Sequence, residues 1–324
     1  MTTWHEWGDE AFRSARASGR PVLLFVRASW CRWCRELEAH SLADPRVERV
    51  LSQRFVCIGV DKDRRPDIDA RYSKGGWPTL AWLDDEAELL ASDTYLEPDE
   101  LLARLELVAD FYAHNRDTIR ARIAEVERER RAPTGRSSAR GKLSLDIVEH
   151  VARTIVDTSD PLHGGWGREH KFPQAEAIDF ALIRWSQTGD NSMLQLVTRT
   201  LRAMQAGEIH DTVEGGFYRY ATRADWSVPH HEKMLDSNAQ RLVAYLEAWQ
   251  VLGDESFRAT ARGIVSFLYE TLLEPETGTF RGSQDANATY AHLPTRADRR
   301  EYGPPACDPT VFTNWNALAV SALL

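Results

Sequence analysis

The sequence predicts an α/β domain followed by an all-α domain. Three observations carry that expectation. Helical periodicities alternate with short β-branched apolar runs as far as residue 113. Residues 132–142, APTGRSSARGK, hold Pro, Gly, Ser and Arg without apolar periodicity. Beyond Leu143 strand signals nearly vanish. The expected division is therefore a first domain over 1–113, a helical extension and linker over 114–143, and a helical domain over 144–324.

In the first domain, residues 9–18 read as a short helix, stopped by Gly19-Arg20-Pro21. Residues 21–26 form a continuous apolar run, which suits a strand buried on both faces. A helix then runs to about Leu42, where Asp44-Pro45 interrupts it, and 47–52 add a further turn or two. Residues 55–60 are a second buried strand, 79–83 a third, and 88–93 a fourth beyond an acidic turn. From Glu97 the pattern is helical, with Leu101, Leu105, Val108 and Tyr112 on one stripe. Residues 114–131 are polar and helix-forming.

In the second domain, helices are expected near 144–157, 174–188, 191–207, 232–252 and 254–273, with a sixth opening at about Thr313. Leu235, Ala239, Leu242, Leu246 and Trp249 make one 3.6-period face. Glycine–aromatic loops recur at Gly164-Gly165-Trp166, Gly215-Gly216-Phe217 and Gly278-Thr279-Phe280. Such spacing predicts a repeated helical hairpin, three in all, with these loops gathered at one end. The run from Trp315 to Leu324 is apolar and uncapped, so the expectation is a chain cut short here or a last helix that needs a partner.

Of the 324 residues, 43% are hydrophobic and 27% charged, enough to bury two cores and against wholesale disorder. The net charge of −9 disfavours a nucleic-acid partner, because phosphate contact needs clustered Lys and Arg. The apolar run at 22–26 is far below the roughly 20 residues of a membrane helix. The opening MTTWHEWGDE has neither a basic nor an apolar leader segment, so no membrane partner and a cytoplasmic location are expected.

Only four cysteines occur, Cys31, Cys34, Cys57 and Cys307, too few for a disulfide-stapled fold. Two form Trp30-Cys31-Arg32-Trp33-Cys34 at the mouth of a helix after a buried strand. Unpaired helix-end N–H groups and the dipole favour a thiolate at Cys31, and Arg32 adds a cation. Cys34 lies three residues on, on the same face. The expected cycle is attack by an exposed Cys31 and resolution by Cys34 through a mixed disulfide. A stabilised thiolate makes the pair more oxidising than thioredoxin's potential of about −270 mV. Zinc also uses this cysteine spacing, but no second such pair exists, so no metal is expected. Gly75-Gly76-Trp77-Pro78-Thr79 precedes the third strand, where a thioredoxin fold sets a cis X-Pro bond facing the cysteines. Cys31, Cys34 and Pro78 are thus the candidate catalytic residues, supported by Trp30, Arg32, Trp33 and Trp77. The first domain is read as a thioredoxin-like α/β domain.

The chain resembles the thioredoxin-domain proteins joined to an α/α six-hairpin toroid, which include the spermatogenesis-associated animal members. The resemblance rests on Cys31–Cys34, Arg65-Pro66-Asp67-Ile68-Asp69, Gly76-Trp77-Pro78 and Lys171-Phe172-Pro173. It continues through Gly215-Gly216-Phe217, Val228-Pro229-His230, Glu232-Lys233-Met234-Leu235, Gln284-Asp285-Ala286 and Trp315-Asn316. It implies a toroid similar to those of sugar epimerases and six-hairpin glycosidases. A full toroid takes about twelve helices, so the resemblance implies a partial one here. The chain departs from the family pattern at Arg32, where His is usual, and at His231, where an aromatic is usual. Phe25 stands where thioredoxins place a buried acid, six residues before the first cysteine.

The helical domain offers Arg219, Tyr220, Trp226, His230, Glu232, Lys233 and Asp285 as candidate ligand-binding residues. His230 and Glu232 form a candidate acid–base pair, whereas no H-E-x-x-H run exists among the histidines. Cys57 reads as a small buried hydrophobe. The expectation is a thiol–disulfide oxidoreductase module fused to a helical toroid, with no cofactor. Its partner is a protein thiol or disulfide client, or a small ligand in the toroid. The alternative is a carbohydrate-binding or carbohydrate-active six-hairpin protein whose thioredoxin domain is only structural.

Overall fold

The computed structural model describes residues 2–73, 75–131 and 144–324; the expected linker at 132–142 lies outside the described residues. The chain divides into two compact units, Met1–Gly141 and Lys142–Leu324.

In the first unit the elements run β1 (Trp4–His5), α1 (Asp9–Ser18), β2 (Val22–Arg27), α2 (Arg32–Glu36), α3 (Pro45–Arg54), β3 (Val56–Asp61), α4 (Pro66–Tyr72), β4 (Thr79–Leu83), β5 (Leu89–Asp93) and α5 (Pro98–Arg131). The sheet order is β1-β3-β2-β4-β5. β2 is parallel to β3 and antiparallel to β4, with Leu24 opposite both Ile58 and Ala81. Val22, Leu24, Val26 and Ile58 face the core that holds Phe12 of α1 and Ile68 of α4. Leu23, Phe25, Cys57 and Trp82 project from the other face and are equally buried. Helices cover both faces, so β2 and β4 read as unbroken apolar runs rather than alternating ones. Burial pushes the Cys57 thiol up to about 12, as suits its reading as a small hydrophobe.

Sequence periodicity missed β1 and α4. β1 is two residues long, too short to show a period. α4 is announced by other chemistry: Pro66 opens it, and Asp67 and Asp69 sit in its first turn beside the helix dipole. The expected boundary at 113/114 falls within α5, which runs on past a single non-helical residue, Asn115. Arg116 and Arg120 of that helix both reach Oδ2 of Asp85, in the turn between β4 and β5, at 3.0 and 3.2 Å. Ile119 is buried as well. Contacts rather than polarity tie this stretch to the first unit.

The second unit contains α6 (Asp146–Asp157), α7 (Ala175–Thr188), α8 (Asn191–Ala206), β6 (Tyr220–Ala221), β7 (Pro229–His230), β8 (Lys233–Met234), α9 (Leu235–Leu252), α10 (Glu255–Phe267), β9 (Leu273–Glu274), β10 (Thr279–Phe280), β11 (Ser283–Gln284), α11 (Ala288–Ala291), α12 (Arg296–Tyr302), β12 (Cys307–Asp308) and α13 (Thr313–Leu323). The strands are two-residue ladders between loops, below the length at which alternation is legible. α9 packs against α7, α8, α10 and α13.

Two hairpins, α7–α8 and α9–α10, close through the same short turn. Gly189 and Gly253 take left-handed backbone at φ 71° and 66°. Asp190 and Asp254 then cap the next helix by accepting the N–H groups of Ser192 and Ser256 at 2.9 and 3.0 Å.

The opposite ends carry the glycine–aromatic loops, and each is held by an acid and a cation. Asp160 accepts Lys171 Nζ at 2.7 Å, and the same ammonium donates to the Gly164 carbonyl at 2.7 Å. Asp211 accepts Lys233 Nζ, which donates to the Gly215 carbonyl at 2.9 Å. Glu274 and Arg281 make the third pair. A Cβ on Gly215, at φ 81°, would overlap the Gly263 carbonyl of α10, so only glycine lets this loop lie on that helix. Asn238 of α9 and Asn316 of α13 repeat one more device. Each accepts the N–H of the loop aromatic, Phe217 or Phe280, at 2.7 and 2.8 Å and donates back to its carbonyl.

Candidate functional site

β2 delivers the chain to the cysteine pair. Beyond it the Cys31 N–H donates to the Ala28 carbonyl at 3.1 Å, and Cys31 becomes the N-cap of α2 in extended backbone. Its sulfur accepts the Cys34 N–H at 3.2 Å, the capping bond that an Asp or Ser side chain would otherwise make. The thiol also meets the Trp77 carbonyl at 3.5 Å, next to the cis Trp77–Pro78 bond. The two cysteines are free thiols.

Cys31 was expected to be exposed; it is 6% exposed, and Cys34 1%. The reason is local. The Trp77 carbonyl covers the sulfur, and the Trp30 and Trp77 rings meet edge to face with centroids 5.8 Å apart. The Cys34 thiol is held far above the ordinary thiol range, first by its hydrogen bond to Cys31 and then by burial. Cys34 therefore keeps its proton, while the Cys31 sulfur accepts the Cys34 N–H and turns its own S–H toward the Trp77 carbonyl.

Both indoles are anchored. Trp30 Nε1 donates to Asp63 at 2.9 Å and Trp77 Nε1 to Asp69 at 2.8 Å. Lys62 Nζ lies over both rings, 5.4 Å from the Trp30 centroid and 4.8 Å from that of Trp77, and pairs with Asp63. Sequence reasoning missed Lys62, Asp63 and Asp69. The readable signal was Asp-Lys-Asp directly after a buried strand, where a loop returns to the sheet edge. On the outer side Trp33 packs edge to face on Tyr95. Arg32, the cation expected to favour the thiolate, extends into solvent with its Nε 3.9 Å from Glu36, where its field is screened. Phe25 lines a cavity of about 340 Å3 with Trp4, Arg27 and Glu38, the last two ion-paired.

In the helical unit four of the candidate ligand residues come together. The Tyr220 ring is stacked between Phe172 and His230, each 4.4 Å away at 14°. The Arg219 guanidinium lies 5.4 Å from the Tyr220 centroid. His230 Nδ1 is 3.9 Å from Oε2 of Glu232, a buried oxygen with no hydrogen-bond partner. Burial holds the His230 imidazole below its ordinary range, with Glu232 opposing. Trp226 and Lys233 do not join this group. Trp226 is fully buried and donates to the His163 carbonyl at 2.9 Å, and Lys233 is locked in the Asp211 clamp. Asp285 lies instead beside Ala306 and Cys307. Among the described residues no three His, Cys, Asp or Glu side chains converge as metal ligands, and no helix is long and apolar enough to cross a membrane.

Residues 2–130 match the family described as "Protein of unknown function, DUF255". Spermatogenesis-associated protein 20 of Mus musculus is 32% identical over 314 residues, covering 88% of this chain and 39% of that protein. The chain spans about two fifths of that relative's length. The first unit is thus a thioredoxin-like domain similar to the DUF255 family. The DUF255 thioredoxin domain is also similar to the thiol:disulfide interchange protein DsbD of Ralstonia nicotianae, 48% identical over 79 residues, 24% of this chain and 13% of that one. Among solved structures, cellobiose 2-epimerase from Spirochaeta thermophila superposes with a TM-score of 0.43 at 15% identity, over 59% of this chain and 49% of that one. The chain itself is a thioredoxin-like domain followed by a largely helical domain.

Proposed function

We propose that the thioredoxin-like unit is a thiol–disulfide exchange module. The observation that carries the reading is the Cys31 sulfur at the start of α2, with the Cys34 N–H 3.2 Å away and the Trp77 carbonyl on its other side. The Cys31 thiolate attacks one sulfur of a client disulfide, a new S–S bond forms, and the other client sulfur leaves as a thiolate. Cys34 then gives up its proton and attacks the Cys31 sulfur. The second client thiolate departs, and a Cys31–Cys34 disulfide remains. A reducing dithiol partner returns two electrons and restores both thiols. The raised Cys34 thiol suits the order, because it stays protonated until the mixed disulfide has formed. The exposed Trp33 and the half-buried Trp77 give the site an apolar rim against which a client segment packs. Four unbonded cysteines fit a reducing compartment such as the cytoplasm. The test is reduction of insulin disulfides by dithiothreitol. The native chain accelerates it, and Cys31→Ala brings the rate to background; undiminished turnover by that variant sinks the proposal.

One observation favours a second reading for the helical unit. The stacked Phe172, Tyr220 and His230 rings beside the unpartnered Glu232 oxygen suit a ring-shaped polyhydroxyl ligand. In that reading Glu232→Gln abolishes binding on a glycan array while Cys31→Ser and Cys34→Ser leave it intact.

A further inference from the structure

A second cavity in the helical unit supports an inference that does not depend on thiol exchange. It measures about 460 Å3, within the range of small-molecule sites, and is walled by residues of β11, α11, α12 and β12. Three guanidinium groups, of Arg281, Arg296 and Arg300, line it. The carboxylates in and around it are already engaged. Glu270 takes Arg296 at 2.7 Å and the Ser266 hydroxyl at 2.6 Å. Glu214 takes the Tyr290 hydroxyl at 2.7 Å and Arg299 at 3.1 Å, and Glu274 takes Arg281. Arg300 makes no hydrogen bond or ion pair among the described residues.

The floor adds an independent observation. Gln284 is 4% exposed and its side chain lines the cavity. Its backbone is fixed in the ladder between β8 and β12. Its amide makes no hydrogen bond within the described residues. That amide is not sealed in the core but opens onto the cavity, where it is available to a ligand. Here the donors that lack partners, the Gln284 NH2 and the Arg300 guanidinium, line one cavity beside a fixed second arginine.

We propose that this cavity binds the oxyanion group of a small polar molecule, a phosphate or a carboxylate. Arg300 and Arg281 supply the charge-assisted donors and Gln284 the neutral one. Arg296, held by Glu270 and by the Val213 carbonyl at 2.9 Å, shapes the wall.

Cys307 lies on the same wall, its thiol 3.7 Å from the Thr271 carbonyl, and so reports on occupancy. In the full chain with Cys31 and Cys34 replaced by Ser, Cys57 is buried and Cys307 is the thiol open to iodoacetamide. The alkylation rate is measured at about pH 8.5, where thiolate is present, with inorganic phosphate or succinate against chloride at equal ionic strength. The expected result is saturable protection by at least one oxyanion. Arg300→Gln, a change at an exposed position, raises the half-protecting concentration about tenfold, as for loss of one charge-assisted contact. Protection by phosphate alone assigns a phosphoryl ligand, and protection by succinate alone a carboxylate. If neither anion protects beyond chloride, or if Arg300→Gln protects like its parent, the assignment fails. Thermal denaturation of Arg300→Gln keeps misfolding from passing for lost binding. The redox cysteines are absent throughout, so failure here and failure of thiol exchange are separate results.

Discussion

The backbone N–H of Cys34 lies 3.2 Å from the sulfur of Cys31. This donor belongs to the main chain and survives any non-proline substitution at 34. Cys34→Ser therefore keeps the attacking sulfur supported and removes only the resolving thiol. In a Cys307→Ser background, the reduced native pair is expected to release about two thionitrobenzoate equivalents from Ellman's reagent, and Cys34→Ser about one. The variant holds the second as a mixed disulfide visible by intact mass. Release from the variant far slower than the native first equivalent contradicts the assigned order of attack.

Lys62 shares its charge between two indoles and Asp63. Lys62→Met keeps the apolar stem and removes the ammonium. The expected loss is about 0.5–2 kcal/mol of stability, the range for a partly desolvated cation over aromatic faces. Urea denaturation of the full chain reads it, and an unshifted midpoint refutes the aromatic anchoring.

The two loop clamps differ in depth, and their variants are expected to differ with them. The carboxylate of Asp211 is 1% exposed, that of Asp160 16%. Lys233→Met leaves a carboxylate buried with Arg299 as its remaining cation and is expected to cost about 3–5 kcal/mol. Lys171→Met is expected to cost less, because water reaches Asp160. Chemical denaturation compares the two, and an equal cost would show that depth does not set the clamp's energy.

Acid should dismantle the same clamps. Burial by itself would raise Asp211, yet the Lys233 charge and the bonds from Arg299 and Lys233 outweigh it and hold the carboxyl at about 2. Asp160 is likewise held at about 2, burial being outweighed by Lys171 and the N–H groups of His163 and Leu162. Both folded values lie below the ordinary carboxyl value of 3.8. Their stabilisation is therefore fully present above about pH 4 and is lost as pH falls toward 2. Each carboxylate accounts for about 2 kcal/mol of that loss. Denaturation midpoints followed from pH 5 to 2 are expected to fall, and less steeply in Asp160→Asn.

Much of this molecule was legible in the chain. Residues 21–26 and 79–83 announce central strands because both faces of those strands are covered, which leaves no alternation to misread. The cysteine spacing and Trp77-Pro78 announce the neighbourhood of Cys31 because they are local signals a few residues long. Gly164, Gly215 and Gly278 announce the hairpin repeat for the same reason. Lys62 over two indoles was not legible, since Trp30 and Trp77 are 47 positions apart and meet only when β2 and β4 pair. Lys233 reads equally well as a ligand contact or as a buried strut; its partner Asp211 lies 22 residues before it, and Arg299, the second cation on that carboxylate, 66 after it.

By itself, then, the sequence settled the long helices, the central strands of the first unit and which two cysteines lie together, because each is written within a single turn or run. Tertiary structure alone decided that Cys31 lies covered, that Trp226 and Lys233 hold loops together, and that Gln284 and Arg300 line one cavity. Burial and pairing are properties of what the chain brings alongside a residue, and no local pattern encodes that company.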